Sequence, residues 1–565
     1  MMQRLRLLMR RDAQLLLALA LLLVLLGTAR AAPPRVGAIA SANPLASAAG
    51  IQILREGGNA FDAAVAVTAA LAVVEPNGSG LTGGGFYLLH RGSDGIDRAI
   101  DARERAPGAA SRDMFLDAHG EPVANLSTDS ALAAGIPGEP AGMAWLAAHY
   151  GRLPVARTLA PAIRLAREGF QLTPHLQGLL QEHLEQFAAD PDVAKNFLRA
   201  GAVPDVGTLI RQPELARTLE HLASHGLASF YRGELAHRLV AGVRAQGGIW
   251  SGQDLADYRA VEREPIVGHY RDARIVSVPP PSSGGVALVE TLNLLSGFEL
   301  PPADSVARLH LIVEALRRVY RDRAEYLGDT DFISVPVARL IDPAYAATLR
   351  LGIHTDRATP SGELPGFTEP SQGPQTTHFS ILDRNGNRVA ATITLNFWFG
   401  SGRMIAGTGL FLNNEMDDFS IKPGVPNGYG LVGNAANAIA PGKRMLSSAT
   451  PMFIETPDRV LIAGSPGGSL IISMAVQATL GFLDGEDAAQ VVAAPRIHHQ
   501  YLPDLLMFEP GALNEAQISG LEALGHHVKV QSRRWGNMQA VIWNTKTGAV
   551  EAAADPRGEG VGLTE

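Results

Sequence analysis

Gln375-Thr376-Thr377-His378-Phe379-Ser380-Ile381-Leu382 lies about two thirds of the way along this 565-residue chain. Thr and Phe favour β-strands, and polar side chains alternate with apolar ones, so the segment predicts the start of a strand. A second interpretation is chemical. A threonine at a newly formed chain N-terminus carries its own base, the α-amino group, which can activate its hydroxyl as a nucleophile. Taken alone, the segment favours the strand interpretation.

Seven further sequence blocks accompany this segment in a fixed order, and they favour the chemical interpretation. The set consists of Thr376-Thr377-His378, Thr394-Leu395-Asn396, residues 412–419, Leu446-Ser447-Ser448, residues 464–469 and 494–500 and, upstream, residues 101–107 and 279–285. Each block alone is a weak signal, but the ordered set is specific. Together they resemble the γ-glutamyltranspeptidase (glutathione hydrolase) family over essentially everything after residue 31.

The resemblance implies an α+β fold, the N-terminal-nucleophile hydrolase sandwich. Its four layers are ordered αββα, with two stacked antiparallel sheets formed jointly by the two processed fragments of one precursor. These fragments are predicted to be a large subunit, residues 32–375, and a small catalytic subunit, residues 376–565. They are expected to stay together as a heterodimer.

The sequence pattern predicts where some elements lie. Apolar residues spaced three and four apart predict helices over residues 59–74 and 305–327. Alternation predicts strands over residues 377–382 and 389–395, joined by a turn at residues 384–387. Residues 359–374 contain four Pro and three Gly, so residues 359–375 are predicted to be a flexible, exposed processing loop that ends at Thr376. We expect the two sides of this loop to be interleaved in one sheet-rich core.

The family's catalytic roles fall on Thr376, Thr394, Gly467 and Gly468. The resemblance implies that Thr376 cleaves the precursor at the Gln375–Thr376 bond and then attacks a γ-glutamyl amide. The resulting γ-glutamyl-enzyme is resolved by water or by an amino acid or dipeptide acceptor. Thr394 is expected to hydrogen-bond the nucleophile, and the two glycines to offer backbone N–H groups to the developing oxyanion. Without the resemblance, Thr394 is an ordinary strand residue and the glycines form a tight turn.

Recognition of a γ-glutamyl group needs both charges, because its α-carboxylate and α-ammonium survive the reaction. Arg103 supplies a planar fork that suits a carboxylate. The resemblance completes the substrate site with Asn396, Glu415, Asp418, Ser447, Ser448 and Tyr429. The two acids are expected to hold the ammonium with help from Asn396, and the two serines to bind the carboxylate. Tyr429 is placed in a predicted lid, residues 423–433.

The acidic cluster has a simpler alternative. Glu415, Asp417 and Asp418 could form a salt-bridged surface group, which is what charge clusters usually are. They lie, however, in an otherwise apolar and strand-like run, residues 410–419. We expect Asp417 to be structural and leave it out of the site.

Residues 1–31 have the pattern of a secretory signal peptide. Four arginines precede an apolar run at residues 13–26, and Ala29-Arg30-Ala31 offers a small-residue cleavage site. A run of about 14 residues is shorter than the roughly 20 that span a bilayer as a helix, which argues against a retained anchor. The mature protein is therefore expected to be periplasmic or secreted, without stable membrane association.

Composition excludes several other classes of protein. With no Cys, the chain has no disulfide framework, thiolate metal site or cysteine nucleophile. The net charge of −8 and the lack of a basic stripe after the leader argue against a nucleic-acid partner.

Two motifs are rejected on their context. The glycines of residues 78–83 fit a dinucleotide-binding pattern, but residues 84–89 look like a strand where that motif needs a helix. Adjacent His498 and His499 do not share a face of a regular element, so we expect structural hydrogen bonds and no metal. The family implies no cofactor.

Two departures from the family pattern concern the substrate side. Glu75-Pro76 stands where many members carry His-Pro, and bulky Phe397-Trp398 follows Asn396. We expect the two aromatics to reshape the acceptor side.

Three alternatives to a γ-glutamyltransferase and glutathione hydrolase remain open. Two are relatives acting on another amide, a cephalosporin acylase or a poly-γ-glutamate depolymerase. The complete set of Arg103, Glu415 and Asp418 argues against the acylase. The third is a catalytically inactive γ-glutamyl-binding protein, against which the retained catalytic residues argue.

Overall fold

The structure is a computed structural model that describes residues 31–364 and 376–565. Residues 1–30 of the predicted leader, and residues 365–375 of the predicted processing loop with Gln375, lie outside the described residues. In the described part of that loop, Ser361–Glu363 forms a 3₁₀ turn and Thr359 and Ser361 are buried, so these two residues are not exposed as predicted. The α-helices of the described part are α1 (Pro44–Arg55), α2 (Ala60–Val74), α3 (Glu139–His149), α4 (Val155–Glu168), α5 (Pro174–Glu182), α6 (Leu184–Ala189), α7 (Pro191–Phe197), α8 (Pro213–His225), α9 (Gly233–Ala245), α10 (Gly252–Asp257), α11 (Gly284–Leu295), α12 (Val306–Tyr326), α13 (Val337–Leu340), α14 (Pro343–Arg350), α15 (Ile471–Leu483), α16 (Ala488–Ala493) and α17 (Glu515–Ala523).

The strands of the described part run from β1 to β20. They are β1 (Ala38–Ser41), β2 (Gly84–Arg91), β3 (Ile96–Ala102), β4 (Phe170–Gln171), β5 (Leu209–Ile210), β6 (Val261–Arg263), β7 (Ile266–Tyr270), β8 (Ala273–Ser277), β9 (Thr377–Leu382), β10 (Arg388–Thr394), β11 (Met404–Ile405), β12 (Leu410–Phe411), β13 (Met452–Glu455), β14 (Arg459–Gly464), β15 (Ile497–His498), β16 (Leu506–Phe508), β17 (Val528–Val530), β18 (Gln539–Asn544), β19 (Val550–Ala554) and β20 (Val561–Thr564).

Two antiparallel sheets form the centre of the molecule, and each draws strands from both sides of residue 375. The first has the order β20-β1-β9-β10-β2-β3-β6 and the second β19-β18-β14-β13-β8-β7. In the first sheet, β9 pairs with β1 on one side and β10 on the other. In the second, β8 pairs with β13. Neither sheet is complete without residues from both sides, which confirms the predicted interleaving.

The layers follow from the alternation of side chains along the strands. Between the two sheets lies a core that includes Ala38, Ala40, Phe86, Leu88, Val276, Phe453, Ile462 and Val541. The intervening residues of the first sheet, such as Ile39, Tyr87 and Ile381, pack against the helices of the first third of the chain. The other face of the second sheet packs against α11, α12 and α15. The result is the predicted αββα sandwich.

Polar caps explain where the two predicted helices begin. The Asn59 side chain accepts hydrogen bonds from the backbone N–H groups of Phe61 and Asp62, both at 3.0 Å, and the Asp62 carboxylate accepts one from Asn59 N at 2.9 Å. This capping box starts α2. Ser305 caps α12 with a single bond, in which its side chain accepts from Arg308 N at 3.2 Å. Both predicted helices are confirmed, with the capping residues just outside them.

The hairpin of β9 and β10 sets the register around the candidate nucleophile. Leu382 pairs with Arg388 and Thr377 pairs with Ile393. Asp383 N donates to Asn387 O at 2.9 Å, and Gly386 has a φ of 78°, a left-handed conformation that favours glycine. Continued by one residue, this register brings Thr376 opposite Thr394, the last residue of β10.

The strand-like interpretation of residues 410–419 was wrong beyond the first two residues. Only Leu410–Phe411 forms a strand, and Glu415–Asp418 is a 3₁₀ turn. The cause lies in Asn413, whose side-chain oxygen accepts from Glu415 N at 3.0 Å and so competes with strand pairing.

The strand expected after the glycine-rich turn of residues 78–83 is confirmed as β2, which excludes the dinucleotide-binding alternative for that segment.

Candidate active site

Two adjoining cavities meet at Thr376, which is buried and directly precedes β9. The smaller, of about 20 Å³, is lined by ten of the eleven predicted catalytic and substrate-binding residues: Arg103, Thr376, Thr394, Asn396, Glu415, Asp418, Tyr429, Ser447, Ser448 and Gly468. The larger, of about 800 Å³, is lined by Gly467, Tyr429, Phe397 and Trp398 as well as Thr376. The fold therefore brings together residues that are up to 365 positions apart in the chain (Arg103 to Gly468).

Arg103 is the centre of a buried ion cluster at the end of the smaller cavity. It follows β3, and its two terminal nitrogens donate to Glu415 and Asp418. Its Nε donates to Met445 O at 3.2 Å, and a longer contact of 3.4 Å joins Nη1 to Glu104. Tyr258 holds the main chain here by donating from its hydroxyl to Arg103 O at 2.7 Å. The guanidinium is thus held in place by contacts on all its nitrogens.

Burial and mutual repulsion shift the ionisation of this cluster. Burial raises the pKa of Glu415 to about 7, although Arg103 opposes the shift. Burial likewise raises the pKa of Asp418, against the pull of Arg103. The pKa of Glu104 is raised well above its usual range by burial and by the neighbouring Glu415 charge, against the pull of Arg103. Burial alone lowers the pKa of Arg103, but the three carboxyl groups outweigh it and keep the guanidinium charged.

Ser447 and Ser448 are positioned by a neighbouring loop and by an arginine that the sequence analysis did not identify. The backbone N–H of Ser447 donates to Pro281 O at 2.8 Å, and Ser447 O accepts from Ser283 N at 2.8 Å. Arg323, near the end of α12, donates to the Ser448 hydroxyl at 3.1 Å and to the Ser283 hydroxyl at 3.0 Å. Burial lowers the pKa of Arg323 to about 10, so it is a second buried cation.

Asn396 and Tyr429 form a wall between the two cavities. Asn396 follows β10 with a φ of 80°, and its backbone N–H donates to the Thr394 hydroxyl at 2.7 Å. The Tyr429 hydroxyl donates to the Asn396 side chain at 2.5 Å and to its carbonyl at 2.9 Å. The Tyr429 ring stacks on Phe397, with centroids 4.8 Å apart. The predicted lid residue is therefore tied to a predicted substrate-binding residue.

Gly467 and Gly468 both have a positive φ, a backbone conformation that favours glycine. Their φ values are 145° and 54°. A Cβ on Gly467 would lie 2.7 Å from Met474 Cε, and one on Gly468 would overlap the Tyr429 ring. Within residues 31–364 and 376–565, neither backbone N–H of this pair donates to an acceptor. Unpaired backbone N–H groups beside a nucleophile can stabilise an oxyanion.

The histidine pair makes structural hydrogen bonds, as predicted. His498 contacts the Ser473 hydroxyl at 2.7 Å and the Gln500 side chain at 2.8 Å, while His499 contacts Asp504 at 3.2 Å. Asp417, also predicted to be structural, accepts from the Ser127 hydroxyl at 2.7 Å and from Gly428 N at 2.8 Å. In the described part of the chain, no three His, Asp or Glu side chains are grouped so as to hold a metal ion.

Two buried residues of the site were missed at the sequence level, Glu104 and Arg323. A signal for Glu104 existed, because it follows Arg103 directly in one of the matching blocks. Arg323 gives no such signal, since it lies on a helix that the pattern describes only as amphipathic. Its place in the site depends on how α12 packs against the loop of Ser282 and Ser283.

The αββα sandwich, with a buried threonine at the start of a central strand beside glycine N–H groups, defines an N-terminal-nucleophile hydrolase. Comparison with known proteins agrees and is more specific. Residues 46–564 match the γ-glutamyltranspeptidase family. The glutathione hydrolase proenzyme of Escherichia coli is 42% identical over 527 residues, which cover 92% of this chain and 90% of that protein.

Solved structures give the same result. The cephalosporin acylase from Bacillus halodurans superimposes with a TM-score of 0.83 at 29% identity, covering 95% of this chain and 97% of that one. The γ-glutamyltranspeptidase of Helicobacter pylori is 40% identical with a TM-score of 0.56, covering 57% of this chain and 93% of that one. The chain belongs to the γ-glutamyltranspeptidase family.

Proposed function

We propose that this chain is an exported, self-processing γ-glutamyltransferase and hydrolase of glutathione and related γ-glutamyl compounds. The observation that carries the proposal is the convergence of ten site residues on one cavity at Thr376. Export rests on the leader pattern of residues 1–31. In the described residues, no helix combines the length and apolar character needed to cross a bilayer.

Maturation comes first. The Thr376 hydroxyl attacks the carbonyl carbon of Gln375, the C–N bond breaks, and the nitrogen of Thr376 takes the proton. The resulting ester between Gln375 and the Thr376 oxygen is hydrolysed by water. This leaves a carboxylate on the large fragment and a free α-amino group on Thr376, which is the base that later activates the same hydroxyl.

Catalysis repeats the attack on a substrate. The α-amino group of Thr376 removes the hydroxyl proton, and the oxygen attacks the γ-carbonyl carbon. The N–H groups of Gly467 and Gly468 stabilise the oxyanion. The γ-amide C–N bond then breaks, the leaving amine takes the proton, and a γ-glutamyl ester forms on Thr376. Water or an acceptor amine attacks this ester and regenerates the free hydroxyl.

The ion cluster supports the recognition of a zwitterionic group. Arg103 and Arg323 carry two positive charges, which balance the charges of Glu415 and Asp418 when both carboxylates are ionised. A free amino-acid head brings one charge of each sign, so it preserves this balance. Because the smaller cavity of about 20 Å³ has room for about one water, the head must replace part of the Arg103–carboxylate pairing with equivalent contacts of its own.

The larger cavity is proposed to bind the leaving group and the acceptor. Its volume of about 800 Å³ suits a small peptide. Phe397 and Trp398 offer aromatic surface, and Trp398 contacts His175 edge-on with centroids 5.9 Å apart. Arg533 and Arg534 also line it and are exposed; within the described residues neither is ion-paired. They suit the terminal carboxylate of an amino acid or dipeptide.

The acylase alternative is favoured by one observation, the likeness to a cephalosporin acylase structure. A pair of anilides separates the two activities. γ-Glutamyl-p-nitroanilide carries the α-ammonium, whereas glutaryl-p-nitroanilide lacks it and leaves Glu415 and Asp418 without a partner. We expect kcat/KM for the first anilide to be at least about a hundredfold higher, because the second leaves a buried charge without a partner in the transition state. A faster glutaryl reaction identifies an acylase.

Processing is tested with the purified chain. Wild type is expected to run as two associated fragments of roughly 36 and 20 kDa. Thr376→Ala is expected to stay uncut and inactive, and Thr376→Ser to mature and retain some activity. A single-chain wild type with full activity rules out the mechanism. Addition of glycylglycine to the anilide assay is expected to accelerate nitroaniline release if transfer competes with hydrolysis.

A further inference from the structure

Glu75 sits at the entrance to the catalytic threonine and has no role in the mechanism above. It directly follows α2 as the C-terminal cap, and its backbone N–H donates to Leu71 O at 2.8 Å. Its own carbonyl accepts from Gly78 N at 3.0 Å and Ser79 N at 3.3 Å, so the main chain is held on both sides. The side chain lines the larger cavity together with Thr376.

One hydrogen bond links Glu75 to the nucleophile segment. The Thr377 hydroxyl donates to Glu75 Oε2 at 2.6 Å. Thr377 is the first residue of β9 and directly follows Thr376. This contact spans 302 positions of sequence and ties the first residue of the small fragment's central strand to the large fragment. After cleavage frees the Thr376 nitrogen, this hydrogen bond lies one residue from the new N-terminus.

We propose that Glu75 is a positioning residue that fixes the Thr376 end of β9 through Thr377, and whose charge sets the pH at which the Thr376 α-amino group becomes a free base. The proposal rests on the function above, in which Thr376 is the N-terminal nucleophile. It adds an electrostatic control that the catalytic residues do not supply. A carboxylate near an ammonium favours the protonated amine, and the protonated amine cannot act as the base.

The environment places this control in the physiological pH range. Burial raises the pKa of Glu75 to about 7, although the hydrogen bond from Thr377 opposes the shift, and Glu559 adds to it. The other charged side chains on the same cavity are Asp129, Glu182, Arg533, Arg534 and Arg557, with the imidazoles of His175 and His183. Glu559 also lines this cavity, and its charge is the one that adds to the rise in the pKa of Glu75.

The decisive variant is Glu75→Gln, which keeps an oxygen to accept from Thr377 but removes the charge. We expect the midpoint of the acidic side of the pH profile of kcat/KM, measured with γ-glutamyl-p-nitroanilide, to shift to a pH about one unit lower. The reason is that the neighbouring negative charge no longer stabilises the ammonium form of the Thr376 amine. The rate on the plateau should stay within about threefold of wild type. An acid limb that stays in place overturns the electrostatic part of the proposal.

Thr377→Val provides the complementary control, since it removes the hydrogen bond but leaves the Glu75 charge. We expect kcat on the plateau to fall about tenfold, with KM nearly unchanged and the acid limb not lowered, because the nucleophile loses its anchor and the substrate does not. Unchanged kcat overturns the positioning part. His175→Gln, which changes an imidazole on the same cavity, is expected to leave the acidic midpoint of the pH profile unchanged. A shift of the same size in this variant would show that the effect is not specific to Glu75.

These outcomes separate the inference from the proposed function. If Thr376→Ala is uncut and inactive while Glu75→Gln leaves the profile unmoved, only the role of Glu75 fails. If Thr376→Ala is active, the N-terminal nucleophile fails and the inference fails with it.

Discussion

Replacing Arg103 by lysine tests whether the substrate carboxylate is recognised by the planar hydrogen-bond geometry of the guanidinium or only by its positive charge. In the structure, the two terminal nitrogens of the guanidinium reach two different carboxylates, and Nε reaches Met445 O at 3.2 Å. A lysine ammonium is a point charge without this planar geometry, so it can replace one of these contacts but not all three. The charge is kept, and the hydrogen-bond geometry is lost.

The expected cost follows from the contacts that lysine cannot make. A hydrogen bond to a charged group in a desolvated site contributes about 1.5–3 kcal/mol. The loss of one such bond to the substrate carboxylate, with the total charge unchanged, therefore predicts a cost of about 2 kcal/mol in transition-state binding. This corresponds to a decrease of about thirtyfold in kcat/KM. Much of it should appear in KM, because the carboxylate is bound in the ground state as well.

The assay is nitroaniline release from γ-glutamyl-p-nitroanilide, measured on fully processed protein so that a maturation defect is not counted as a catalytic one. Arg98→Lys is the matched control, because Arg98 contacts Glu262 and Glu264 at 3.2 Å but is 29% exposed at the surface. Surface ion pairs contribute little, so this variant should behave as wild type. Arg103→Lys within twofold of wild type would show that the guanidinium does not contact the substrate.

Three further predictions address the acceptor, the lid and acid stability. Arg533→Ala with Arg534→Ala should raise the acceptor KM for glycylglycine about tenfold but leave that for glycylglycinamide unchanged, since the amide has no carboxylate; equal effects on both would refute carboxylate binding. Deletion of residues 424–432, which removes Tyr429, should raise activity on poly-γ-glutamate relative to glutathione, and an unchanged ratio would show that the loop is not a lid. Burial lowers the pKa of His498 to about 3. The neutral His498 side chain therefore costs no stability above about pH 6.5. As the pH drops, the unfolded chain binds a proton that the folded protein does not, and the free energy of unfolding falls by about 2 kcal/mol at pH 5. The unfolding temperature of His498→Gln should therefore depend less steeply on pH than that of wild type, and an equally steep dependence would refute this assignment.

Much of the candidate site could be predicted because its residues belong to short, contiguous blocks. The starts of α2 and α12 were predictable for a local reason, since Asn59 and Ser305 cap them through contacts two or three residues away. The β9–β10 hairpin was predictable too, because a short turn at Asp383 to Asn387 fixes the pairing of the flanking alternating strands. From that hairpin alone, Thr394 comes to lie opposite Thr376.

The tertiary structure decided what depends on distant residues. Sheet order, with β9 between β1 and β10, requires pairing between segments more than 300 residues apart, and strand patterns carry no information on their partners. The 3₁₀ turn of Glu415–Asp418 arises where the Asn413 side chain accepts a hydrogen bond from the backbone N–H of Glu415. The alternation of polar and apolar residues gave no indication of this bond. Arg323 enters the site only through the packing of α12. By itself, the sequence determined which chemical groups are present and the local elements that carry them; their mutual pairing, burial and ionisation came from the fold, because burial and charge–charge distances exist only once the chain is packed.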